Sequence, residues 1–119
     1  MAADQGLASA QSNLGLMYAN GGVPEDDTEA VRWFRLAADQ GIADAQNNLG
    51  VMYANGQGVP QHTVQAHMWH NLVASRATGE MRERAVRNRD RGAGLMNPTQ
   101  IAEAQRLARE WDAAHPREP

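Results

Sequence analysis

Residues Ala37 to Tyr53 read AADQGIADAQNNLGVMY, and residues Ala2 to Tyr18 read AADQGLASAQSNLGLMY. The two stretches are copies of one unit at an offset of 35 positions. Each runs into Ala-Asn-Gly, a Gly-Val-Pro turn and a second segment. There Ala30-Val31-Arg32-Trp33 matches Ala66-His67-Met68-Trp69 at an offset of 36. The extra residue is most simply Gln57, in a glycine-rich turn that tolerates an insertion as a helix would not. A period in the mid-thirties points to helix-pair repeats.

The residues agree with that period. Ala45, Leu49, Met52 and Tyr53 fall on one helical face, and so do Ala30, Trp33, Phe34 and Ala37 on the next segment. Asn-Gly and Gly-Val-Pro separate the two helices of a unit. Asp26 or Asp27 can cap the second helix of the first copy, and Gln40-Gly41 ends it. Gly15 and Gly50 stand inside helices, where glycine costs roughly 1 kcal/mol relative to alanine. Its recurrence in both copies predicts that a neighbour crosses closely there. Recurrence also marks Ala10, Leu14, Gly15, Tyr18 and Trp33 in copy one, and Ala45, Leu49, Gly50, Tyr53 and Trp69 in copy two, as the core of the repeat.

After the second copy the pattern changes. Residues 79–96 read as one helix. Asn97-Pro98-Thr99-Gln100 is a helix start with a cap, a first-position proline and a glutamine three after the cap. Ile101, Ala104, Leu107, Ala108 and Trp111 then form one apolar stripe, with Glu103, Arg106, Arg109 and Glu110 opposite. The expected fold is all-α, an α-solenoid of antiparallel helix pairs. Two repeats (about 2–36 and 37–74) occupy residues 1–76, a C-terminal capping pair 77–114 and a loose tail 115–119. The chain opens with Ala-Ala-Asp-Gln-Gly, which in the second copy ends a preceding helix. The first pair therefore lacks a cap, either because the chain comes from a longer array or because this face meets another molecule, such as a second copy.

At 119 residues with 42% hydrophobic and 21% charged residues, the composition is that of an ordinary globular domain. No apolar run reaches the roughly 18 residues of a membrane span, and the N-terminus shows no signal core, so the cytoplasm is the favoured compartment. There is no cysteine, and all 11 basic residues are arginines. Zinc-thiolate sites, cysteine nucleophiles, Walker loops, Schiff bases and Ser-x-x-Lys chemistry are thereby excluded. Charge is uneven, −5 through Leu72 and +2 beyond it.

The long, twice-repeated spacing resembles the Sel-one-like repeat, a tetratricopeptide-related family. The motif is carried by Gly41, Ala45, Gln46, Leu49, Gly50, Tyr53, Gly56, Gly58, Val59, Ala66 and Trp69. In copy one it is carried by Gly6, Ala10, Gln11, Leu14, Gly15, Tyr18, Gly21, Gly22, Val23, Asp26, Ala30, Trp33 and Phe34. The resemblance covers residues 2 to about 74, and the C-terminal pair looks like the closing helices of bacterial members. Three positions depart from the family pattern: a first turn one residue short, His62 in place of Asp, and His70 in place of an aromatic. The resemblance implies a right-handed superhelix acting as an adaptor in protein–protein contacts. Some bacterial relatives carry a β-lactamase label, which finds no support in a sequence without lysine, so no catalysis is expected.

Candidate sites are few. His67 and His70 share a helix face with His62 upstream, but lack the third and fourth ligands of a closed metal site. The expectation is no metal and no cofactor, with His70 in the aromatic slot and the other two solvated. The arginines between Arg76 and Arg91 are interspersed with Glu80, Glu83 and Asp90. Glu80–Arg84 and Glu83–Arg87 are spaced as ion pairs, and no aromatics interleave, so no nucleic acid is expected. No catalytic set emerges. What remains is a stripe repeated once per unit: Leu16 between Asn13 and Asn20, and Val51 between Asn48 and Asn55, opposite the side that carries Leu14. First helices of such pairs typically face the concave side. The expected function is a protein or peptide interaction module that receives a peptide or helix along this line. Self-association through the N-terminal face is the alternative.

Overall fold

The computed structural model describes residues 2–20 and 26–116, leaving the first Gly-Val-Pro turn outside the described residues. Six helices follow in order: α1 (Ala2–Asn20), α2 (Asp27–Asp39), α3 (Ala43–Asn55), α4 (Thr63–Arg76), α5 (Gly79–Ala93) and α6 (Pro98–Ala114). No strand occurs among the described residues. α1 packs on α2 and α3 on α4 as helix pairs, and α2 joins the pairs by packing on α3. The fold is the expected α-solenoid. α5 and α6, expected to close the array as a helix pair, instead pack mainly on α4 rather than on each other.

The local signals act as read. Asp26 caps α2 by accepting from the Glu29 N–H at 3.1 Å. His62, at the equivalent place, caps α4 through Nδ1, which accepts from the Gln65 N–H at 3.2 Å. An accepting Nδ1 carries no proton, so imidazole replaces carboxylate here only in its neutral form. Both cap residues donate their own N–H to the repeat tyrosine upstream, Asp26 to the Tyr18 carbonyl at 3.0 Å and His62 to that of Tyr53 at 2.9 Å. Asn97 and Gln100 form a reciprocal capping box at 2.8 and 3.0 Å.

The two helical glycines are explained by close packing within each pair. A Cβ on Gly15 would lie 2.7 Å from the Phe34 ring, and one on Gly50 would lie 2.6 Å from His70 Nε2. His70 thus fills the slot that Phe34 fills in copy one.

One continuous core runs from α2 to α6 through Phe34, Leu49, Leu72, Trp69 and Ala108. A first helix of the array has two sides to bury. α3 buries Gly50 against α4, and it buries Ala45 and Leu49 on the side toward the preceding pair. α1 buries only the first of these sides, through Ala8, Ser12 and Gly15. Ala10 and Leu14, expected in the core, are exposed, as are Leu7 and Met17. Leu14 is 36% and Met17 41% accessible, whereas Leu49 is 0% and Met52 5%. Among the described residues no helix occupies the place that α2 takes against α3. Trp33 likewise is half-buried where Trp69 is buried, with the Arg32 guanidinium 5.6 Å from its ring.

The end of the array is fastened by Arg76 in the last turn of α4. Its Nε donates to Asp112 Oδ1 at 2.6 Å and its Nη2 to the His115 carbonyl at 2.5 Å. A cation therefore sits on the carbonyl end of α6, where the helix dipole favours it. His115, assigned to the loose tail, stacks on Trp111 at 3.8 Å, and Trp111 meets Trp69 edge-on at 6.0 Å.

Candidate functional site

Of the stripe read from the sequence, Leu16, Asn48 and Val51 come together where α1 and α3 adjoin. Leu16 and Val51 line one open hollow of about 190 Å³ together with Phe34, Asn48 and Met52. Leu16 is 36% accessible, and Asn48 and Val51 are half-buried. Neither the Asn48 nor the Asn13 amide has a hydrogen-bond partner among the described residues. Asn13 is exposed but lines no part of the hollow. The Asn20 side chain lies outside what the structure describes.

Val51 also borders a second, more enclosed cavity of about 140 Å³ between α3, α4 and α5. Asn55 lines this one, together with His67, His70, Arg91 and Leu95. Periodicity within the repeats did not find this half of the site, because α5 is not a copy of α1 or α3. The charged residue at 91 near the end of α5 and the apolar residue at 95 in the turn that follows were its only signal.

Among the described residues no three His, Cys, Asp or Glu side chains converge. His62 is exposed and His70 is buried, its Nε2 3.3 Å from the Asn47 carbonyl. His67, expected in solvent, is buried as well, because α5 lies across it. Burial pushes the pKa of His70 down to about 4, against the smaller opposing effect of the Asn47 carbonyl. The same cause lowers that of His67, with the Arg89 backbone opposing. His67 Nδ1 has no hydrogen-bond partner at bonding distance.

The arginine run is divided by the fold. Arg76 is taken up by α6. Arg84 pairs with Glu80 at 3.4 Å and Arg89 with Asp90 at 3.2 Å. The Glu83–Arg87 pair suggested by spacing does not form.

The Sel1 repeat model matches residues 8–42 and 43–76. Among solved structures, c5321, a protective antigen present in uropathogenic Escherichia coli strains and displaying an SLR fold, is similar with a TM-score of 0.84 at 32% identity. The match covers 96% of this chain and 24% of that one. A Sel1 repeat protein from Oxalobacter formigenes is similar with a TM-score of 0.64 at 30% identity, covering 87% of this chain and 42% of its own. The chain thus spans less than half the length of either. No curated protein matches.

Proposed function

The chain belongs to the Sel1 repeat family, whose members typically mediate protein–protein interaction, and from that premise we propose that it binds a peptide or partner helix along the Leu16–Val51 line, without catalysis. The observation that supports this reading is the shared hollow. An exposed Leu16 and a half-buried Val51 from successive repeats line it together, with an unpartnered amide beside them. Apolar anchors flanked by amides that bond to backbone are what a groove for a peptide or helix needs.

The test is a displayed-peptide selection on the wild-type protein, with Leu16→Asp/Val51→Asp as the comparison. Leu16 is exposed and Val51 half-buried at the rim of two hollows, so the double variant should keep its helical circular dichroism, which is checked before binding is compared. Selected peptides should bind it at least tenfold more weakly, on the scale of losing buried anchors. Peptides that bind the folded double variant as well as the wild type would remove the groove.

A second reading is favoured by the outer face of α1. Leu7, Ala10, Leu14 and Met17 lie along it at helical spacing, and their counterparts in copy two are covered by α2. Self-association through this face predicts a dimer in sedimentation equilibrium that Leu7→Glu/Leu14→Glu dissociates. A monomer at every concentration would dismiss it.

A further inference from the structure

The cavity between α3, α4 and α5 has a chemistry of its own. Its volume of about 140 Å³ falls below the roughly 300 Å³ at which small-molecule sites begin, and suits a single inserted side chain. Val51, Ala54 and Ala66 make apolar walls, and Leu95, 72% accessible, stands at the rim. Gly92 leaves its side of the cavity open: a Cβ there would meet only His67 Nδ1, at 3.9 Å.

Among the described residues lining the cavity Arg91 is the only Asp, Glu, Lys or Arg, while the Asp90 carboxylate acts on His67 from outside the lining. His67, 4% accessible with an unpartnered Nδ1, is kept neutral by its burial. Arg87, one turn before Arg91 on the same face of α5, is exposed. Neither of these two arginines has an acidic partner among the described residues, in contrast to Arg84 and Arg89. Two uncompensated cations four residues apart repel each other and favour an anion between them.

We propose that this cavity is the anchor pocket of the groove and that its occupant is an acidic peptide segment: one aliphatic side chain enters between Val51, Ala66 and Gly92, and an adjacent Asp or Glu meets Arg91 at the rim. The inference rests on the groove reading above and adds the chemistry of the partner. Because Val51 belongs to both hollows, a segment anchored here runs on toward Leu16.

The experiment uses a positional-scanning library of seven-residue peptides with amidated C-termini, read by fluorescence anisotropy against the full chain. The wild type is expected to select Leu, Ile or Met beside Asp or Glu, with affinity that falls as salt rises. Gly92→Leu fills the cavity with a better helix former than glycine, and should weaken binding on the order of tenfold while the thermal melt holds. Arg91→Glu, at an exposed position, should turn the acidic preference into a basic one. Peptides without acidic preference, or a preference that Arg91→Glu leaves unchanged, overturn the proposal. If binding is lost in Leu16→Asp but indifferent to both Gly92→Leu and Arg91→Glu, the groove stands and the anchor pocket falls. If no library peptide binds the wild type, the groove falls and the pocket with it.

Discussion

Replacing Trp69 by alanine is expected to lower the unfolding free energy by about 3–5 kcal/mol, the range for deleting a large buried aromatic side chain. Trp69 is 5% accessible and belongs to the continuous core. Its indole meets Trp111 of α6 edge-on at 6.0 Å. Trp111 in turn carries His115 stacked on one side and the Arg76 guanidinium 5.0 Å from its ring. Losing Trp69 therefore opens a cavity and also removes the surface on which α6 is seated. Against a total of roughly 5–15 kcal/mol for a domain, much of the stability is at stake. The equivalent tryptophan of copy one sets the contrast. Trp33 is half-buried, lies outside the core cluster, and its indole N–H is buried without a partner. Trp33→Ala should cost clearly less than Trp69→Ala. Urea denaturation of the two variants checks the ordering, and equal costs would refute the asymmetry between the copies.

Acid should destabilise the protein before its carboxylates titrate, and His70 is the main cause. Its pKa is about 4 in the fold and about 6.5 in an unfolded chain. Above pH 6.5 both states are neutral at this residue and its contribution is fully present. As the pH falls below 6.5 the unfolded chain takes up a proton that the fold refuses, so stability declines until about pH 4 and then levels off. The 2.5-unit difference between these pKa values corresponds to about 3 kcal/mol. The lowered pKa of His67 acts with the same sign. His70→Phe restores the residue type that copy one uses against its own helical glycine. The variant should keep the fold and lose most of the slope between pH 6.5 and 4, measured by urea titration at successive pH values. An unchanged slope would mean that His70 is protonated within the fold.

Most of the architecture was legible because it was written twice. Glycine at 15 and 50, tyrosine at 18 and 53 and tryptophan at 33 and 69 recur at offsets of 35 and 36, and recurrence separates structural residues from incidental ones. The caps at Asp26 and Asn97 were legible because capping is local: one side chain satisfies a backbone N–H within the next turn. The site was legible only in its repeated half. Leu16, Asn48 and Val51 could be placed together from the period. The wall supplied by α5 could not, because that helix has no counterpart from which to infer its position.

The amino-acid sequence by itself determined the helix pairs, their turns, the family and the absence of lysine and cysteine chemistry. All of these follow from residues that act on neighbours within a turn or from a pattern that repeats. Tertiary structure alone decided which copies of the repeated residues are buried. Leu14 and Leu49 occupy the same place in their units, yet one is 36% accessible and the other 0%. The difference lies in whether a helix stands in front of them. Burial is a property of the neighbour as much as of the residue, and the period of a repeat carries no information about what lies beyond its ends.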